Sequence, residues 1–223
     1  DQSLLLKGEA MINHWNEKNN LFLFGNLSQL DADKEGISWL IQNLTGKANA
    51  PDILQRIGDI SFNGDISGYL NQLTTHGTLL TDVGNIRANV TMHSDTITHL
   101  RSYSGKIISP ELNLGMLLNQ EKTLGNATFD IKLQGFKYNN GEAESYIKGN
   151  ISSLTYKQYE YRNIMLDGKY TPGGFNGKLS LDDSNGNIEI NGHFATRQAV
   201  PDFNLRAVVR NFRPNDLHLT EKY

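Results

Sequence analysis

KYTPGGFNGKLSLDDSNGNIEINGHFA, running from Lys169 to Ala195, holds the rule by which the whole chain is written. Leu179 and Leu181 alternate with Lys178, Ser180 and Asp182, and Ile188 and Ile190 alternate with Glu189 and Asn191. A period of two gives each of two strands one apolar and one polar face. Between them lies a turn-rich run, Asp182 to Asn187, in which Asn185-Gly186 is suited to the positive φ angles of a tight hairpin. A β-hairpin is expected, with that turn setting its register. The second strand carries a finer signature: apolar residues at alternate positions interrupted by a glycine, as in Ile188, Ile190, Gly192 and Phe194.

The signature recurs at Leu4-Leu6-Gly8-Ala10, Leu21-Leu23-Gly25-Leu27, Ile60-Phe62-Gly64-Ile66 and Ile164-Leu166-Gly168-Tyr170. Partial copies sit at Ile147-Gly149-Ile151 and Phe175-Gly177-Leu179. A glycine among inward apolar positions marks a bend, a bulge or a close approach of backbones. The spacing between copies is irregular, so the chain is an array of related strands without the fixed period of a strict solenoid.

With 223 residues there is material for one large β domain, and a single elongated domain over 1–223 is expected. Net charge is −3 with 20% charged residues, which gives no overall basic character for nucleic acid. There is no cysteine, excluding disulfides, thiol catalysis and Cys-ligated zinc. No apolar run reaches the roughly 20 residues of a spanning helix. The chain opens with no leader and ends within a pattern, as expected of an internal segment of a longer repeat-containing protein.

Alternation predicts strands over Ser3–Ile12 and Leu21–Leu27, the latter with Phe22 and Phe24 apolar on its second face, so that both faces are expected to be covered there. Helical spacing of Ile37, Leu40, Ile41 and Leu44, and a Pro51-led run to Ile57, predict a short helical insertion at about 36–57 capping one end of the sheet. Three strands follow between Gly58 and His93. Another over Ile97–Ile108 is expected to end at Ser109-Pro110, and the apolar run Glu111–Asn119 reads as a tight turn or short helix plugging the core. Ala127–Gly135, two strands within Ala143–Tyr170 and Phe203–Phe212 complete the pattern.

Chemistry finds no foothold. His14, His76, His93, His99, His193 and His218 are scattered and lack the i, i+4 spacing of a helical metal site. Asp182, Asp183, Asn185 and Asn187 lack the order of a calcium loop and are explained by the hairpin turn. Five N-x-S/T triplets, at Asn26, Asn43, Asn89, Asn126 and Asn150, are as expected by chance in a chain rich in Asn and Thr. Tyr156, Tyr159, Tyr161 and Tyr170 form either a ligand platform or ordinary strand packing, the second being favoured. The reading is of a non-enzymatic domain with no cofactor, no metal and no catalytic residue. Ile60, Phe62, Ile86, Val90, Phe129, Ile131, Leu133, Ile164, Leu166, Leu179, Leu181, Ile188 and Ile190 are expected to share one concave or core face, with Arg87, Lys132 and Glu189 pointing away from it. With about a dozen strands and so little helix, either sheet packs on sheet or the face curls around something else.

Several runs carry a family resemblance: YSGKI (Tyr103 to Ile107), LNLGMLL (Leu112 to Leu118), LGNATF (Leu124 to Phe129), Gly135 and YEYRNIMLDG (Tyr159 to Gly168), with IGDISFNGDISG (Ile57 to Gly68) and GTLLTDVGNI (Gly77 to Ile86) upstream. Together they resemble the TamB-like branch of the AsmA-like family, especially Bacteroidetes forms, over nearly the whole chain and most strongly from Ile57 to Leu219. The resemblance implies a β-taco: a curved, mainly antiparallel sheet folded into an apolar groove. It implies a periplasmic location in a Gram-negative bacterium, with inner-membrane anchoring through parts absent from this chain. It also implies phospholipid acyl chains as ligands lining up on the thirteen residues named above, and a TamA-like barrel-assembly partner in outer-membrane biogenesis. The alternative is a closed scaffold that holds polypeptide at its edges by strand addition and assists outer-membrane protein assembly.

Overall fold

The computed structural model describes residues 3–14, 17, 20–46, 52–95, 97–98, 100–138, 143–196 and 201–219. Twelve strands form one open, curved antiparallel sheet whose spatial order is the order of the chain. They are β1 (Leu4–Asn13), β2 (Phe22–Ala32), β3 (Ile60–Tyr69), β4 (Gln72–Thr81), β5 (Gly84–Ser94), β6 (Arg101–Asn113), β7 (Leu124–Lys137), β8 (Ala143–Tyr156), β9 (Tyr159–Thr171), β10 (Gly174–Asp183), β11 (Gly186–Ala195) and β12 (Asp202–Arg210). Three short helices interrupt the meander among the described residues: α1 (Lys34–Thr45) and α2 (Asp52–Arg56) between β2 and β3, and α3 (Leu114–Leu118) between β6 and β7. The all-β class with few short helices is therefore as the alternation predicts. No helix among the described residues is long and apolar enough to cross a membrane.

Helices α1 and α3 start where the sequence provides a cap. Asp33 ends β2 in extended conformation and accepts from the backbone N–H groups of Glu35 and Gly36, while Gly46 closes α1 in the left-handed region with φ 69°. Asn113 caps α3 the same way, accepting from Met116 N–H at 2.9 Å.

Register decides the faces. Leu179 lies opposite Leu166 and Ile190, and Leu181 opposite Ile164 and Ile188. The row continues from Leu166 to Gly149 to Ile131 to Ile107 to Ala88 to Gly77. On β3, Phe62 faces Leu79 and Ile60 faces Thr81, and at the far edge Leu6 faces Leu30. One apolar face thus runs without a break from β1 to β12, where Phe203, Leu205, Ala207 and Val209 extend it opposite Phe194, Gly192, Ile190 and Ile188.

Apart from Leu27 of β2, which is 7% exposed, the apolar side chains in the middle of that face are not fully buried, and the two buried clusters lie elsewhere. They lie along the rim that carries all three helices and the β4–β5, β8–β9 and β10–β11 turns. Ile57, Val83 and Leu112 form one cluster, with Leu54 of α2 and Leu114 and Leu117 of α3 packed over Ile60, Ile86 and Phe129. Tyr161, Ile164, Leu181 and Leu217 form a second, with Ile151, Leu154, Tyr156, Tyr159 and Ile188 around it. Leu217, from the segment after β12, is 0% exposed and its carbonyl accepts from the Tyr161 hydroxyl at 2.5 Å.

Three local expectations are corrected. The β10–β11 turn is Ser184-Asn185, since Asp183 pairs with Gly186, and neither Asn185 nor Gly186 has positive φ. Asp183 holds the turn by accepting from Asn185 N–H at 3.0 Å, and Gly186 is needed for space, because a Cβ there would sit 2.9 Å from Leu217 Cδ1. The positive φ pair is instead Lys157-Gln158, at 48° and 66°, in the β8–β9 turn. Strand β6 does not stop at Ser109-Pro110 but runs through it to Asn113. Pro110 has no N–H for the ladder, so the register shifts there, from Ser109 opposite Phe129 to Leu112 opposite Ala127. Phe24, on the opposite face of β2, is exposed, so that face is not covered at this point. Pro51 and His99 lie outside the described residues, and so do the side chain of Leu44 and residues 220–223.

Glycines let the backbones meet. Gly64 and Gly77 face each other across β3 and β4; Gly64 has φ 151°, a Cβ on it would sit 2.2 Å from the His76 carbonyl oxygen, and the Phe62 ring lies over Gly77. Gly64→Ala is expected to cost roughly 2 kcal/mol through backbone strain and overlap. Gly25→Ala, whose Cβ would meet only the flexible Leu27 side chain at 3.3 Å or more, should cost under about 1 kcal/mol. Denaturant melts of the two variants check this, and equal losses would mean the glycines are not close-approach sites.

The rim gives a second expectation. Leu217→Ala should lower stability by about 3 kcal/mol, in the range for large-to-small change at a fully buried site, although Leu217 belongs to no strand. A loss below about 1 kcal/mol in the same melts would show that the terminal segment is not part of the core.

Candidate functional site

The candidate site is the apolar face itself. All thirteen residues singled out by alternation lie on it, as the registers require, while Arg87, Lys132 and Glu189 are exposed on the opposite face. They do not share one environment. Ile164 and Leu181 are 9% and 6% exposed and belong to the rim core, whereas the other eleven are half-buried. A second sheet laid on this face would bury Ile131, Leu133, Leu166, Leu179 and Ile190, which sit in the middle of their strands. They remain partly in water. The chain exposes 14594 Å² in all, where a compact globular chain of this mass exposes roughly 10,200 Å².

Alternation was a sufficient signal for more of the face than those thirteen. Leu6, Leu23, Leu79, Ile107, Ile147 and Leu205 occupy the same face by register. Toward the rim opposite the helices the face carries aromatics: Phe175 and Phe194 have ring centroids 6.3 Å apart, and Phe194 and Tyr170 are 44% and 47% exposed. At the outer strand Phe203 is 68% exposed. Leu217 had no periodic signal, since it packs from a turn.

The tyrosines divide. Tyr156, Tyr159 and Tyr161 pack on one another at centroid distances of 6.4 and 4.8 Å within the rim core, which is structural packing, and Tyr170 stands apart on the open face. The described histidines form no cluster. His76 and His93 are on the polar face, His193 lies 3.2 Å from Asp202, and His218 Nδ1 is 2.8 Å from the Lys157 carbonyl oxygen. Among the described residues no group of three His, Cys, Asp or Glu side chains is placed to hold a metal ion.

Asp183 ties the β8–β9 and β10–β11 turns of the rim together. Burial pushes its carboxyl pKa up, but the Tyr159 hydroxyl and the N–H groups of Asn185 and Arg162 donate to it and hold it below the ordinary value. Tyr159 keeps its proton correspondingly, raised first by burial and then by this hydrogen bond.

Searches against family models, curated proteins and solved structures find nothing that this chain matches. Geometry therefore has to carry the functional argument.

Because the folded-state pKa of Asp183 is depressed, its stabilisation is full above the unfolded value of about 4 and is lost as pH falls through the depressed folded value. Denaturant midpoints measured between neutral and acid pH should fall more steeply on the acid side for the parent chain than for Asp183→Asn. Identical acid limbs would mean the carboxylate contributes nothing to the rim.

Proposed function

We propose that the apolar face carries phospholipid acyl chains, and that the chain is a segment of a TamB-like protein of the AsmA-like family working between inner and outer membranes. The observation that supports this most is the combination of a continuous apolar face with a core displaced to one rim. A domain built only to be stable would cover Ile131, Leu133 and Ile190; here they are left available while helices and the terminal turn fill the rim. An acyl chain gains roughly 0.8 kcal/mol per CH₂ removed from water, and gains it without a directional contact. Binding spread over twelve strands thus holds a chain in sum and lets it slide. On this reading the protein is not an enzyme, needs no cofactor, and acts in the periplasm of a Gram-negative bacterium, with its membrane anchor and any TamA-like partner contacted through other parts of the full-length protein.

A second reading draws on a separate observation. Strand β12 lies at the end of the sheet order and exposes Phe203, Leu205 and Val209, which suits pairing with an added polypeptide strand. A chaperone-like role in outer-membrane protein assembly would use that edge.

Native mass spectrometry and lipid extraction of the purified chain test the first reading. Phospholipid should accompany the parent protein. Ile131→Asp should lose most of that lipid while its stability falls by only about 1–2 kcal/mol, since water reaches the half-exposed site. His93→Ala and Asp182→Ala should keep both lipid and fold. A lipid-free parent that unfolds on Ile131→Asp would overturn the open-face reading in favour of a closed scaffold.

A further inference from the structure

The polar face carries its own organised feature. By register Lys106 lies opposite Lys132, Lys132 opposite Lys148, Lys148 opposite Asp167, Asp167 opposite Lys178, and Lys178 and Arg206 flank Asn191. Five cations thus occupy one row across seven strands. Like charges directly opposite on a ladder repel and destabilise a sheet, and strand pairing itself requires no lysine here. Two of the five are neutralised, Lys106 by Asp130 at 2.8 Å and Lys148 by Asp167 at 2.7 Å. Lys132, Lys178 and Arg206 form no ion pair among the described residues.

The row also lies in a hollow. A depression of 340 Å³ is lined by Lys106 and Lys132, one of 320 Å³ by Lys132 and Lys148, and one of 970 Å³ by Lys148, Lys178 and Arg206. Each shares a lysine with the next, so the three make one trough. Six inter-strand steps of about 4.8 Å give it a length of about 29 Å. Its flanks include neutral hydrogen-bonding side chains, Thr91, Ser104 and Gln134 on one side and Asn150 and Ser180 on the other, with Met165 and Val208 beside the latter pair. The acids beside it are engaged, Asp182 by the Asn187 amide at 3.0 Å and Glu189 by Arg210 at 3.4 Å.

We propose that this trough binds a linear acidic polysaccharide, with the acidic groups on the unpaired cations and the sugar hydroxyls on the flanking amides and hydroxyls. A trough one row wide and about 29 Å long suits a single linear chain better than a flat anionic bilayer. Single-stranded nucleic acid would call for several stacking aromatics, and among the described residues Tyr146 is the one ring that lines the depressions. The ladder repulsion is thereby relieved on binding, which makes the ligand stabilise the sheet.

Titration calorimetry of the whole chain with oligogalacturonate tests this, at about 50 mM and about 200 mM salt. Binding is expected at the lower salt and should weaken steeply at the higher. Lys132→Gln and Lys178→Gln should each weaken it several-fold, and the double variant at least about tenfold, while Lys122→Gln, outside the trough, leaves it unchanged. Neutral dextran should not bind. The Lys132→Gln melting temperature should hold or rise, because a repulsion is removed, which separates lost binding from lost fold. Undiminished binding by the two single variants, no binding at the lower salt, or tighter binding of oligothymidylate or of phosphatidylglycerol vesicles would overturn the proposal.

Discussion

The unbroken antiparallel ladder from β1 to β12 is what every other feature hangs on. Because each strand pairs only with its sequence neighbours, each register is set locally, and one residue of slip would send a whole row of apolar side chains to the polar side. The sequence protects against this with a period of two on every strand and with glycines placed where neighbouring backbones must come together. The Gly168–Gly177–Gly192 line shows the device: three facing glycines in β9, β10 and β11, with the Phe175 ring lying over Gly168. A side chain at Gly177 would meet the Gly168 Cα at 2.4 Å.

A ladder alone leaves one face of the sheet oily, and the chain responds at only one rim. Non-strand segments on that side, α2, Val83, α3 and the turn holding Leu217, supply the apolar groups that close the two core clusters. Stability and availability are thus separated in space: the rim fixes the strand ends, and the middle of the face stays in contact with water. The opposite face carries ion pairs such as Lys169 and Glu144 near one rim and, through the middle, the lysine row that Asp130 and Asp167 neutralise in part.

Strands and faces were legible in the sequence because both depend on residues one or two positions apart. Ile188, Ile190, Gly192 and Phe194 declare their side of the sheet without reference to anything distant. What was not legible depends on residues far apart in the chain. Gly186 looked like a turn residue, yet its role is to clear room for Leu217, about thirty positions on, which no local pattern reports. Pro110 looked like a strand end, but the partner strand β7 absorbs the missing donor by a register shift. Phe24 looked like evidence of a covered second face and is simply exposed. Likewise the lysines were read as water-facing, correctly, but their alignment into one row appears only when seven strands are laid side by side.

An open apolar face can be covered by a second copy of the sheet or by a flexible chain, and the relief of the face bears on which. The face is not uniform: glycines and the small Ala88 alternate with Ile, Leu and Phe across the strands, and the Phe62 and Phe175 rings lie over Gly77 and Gly168. Two rigid uneven sheets bury little area unless their reliefs match, and each lost contact forfeits dispersion energy without relief. A flexible hydrocarbon chain has no such matching problem, since it adjusts by rotation about its own bonds. On the lipid-binding reading proposed above, the same unevenness that weakens sheet-on-sheet contact favours a thin, compliant ligand over a second sheet.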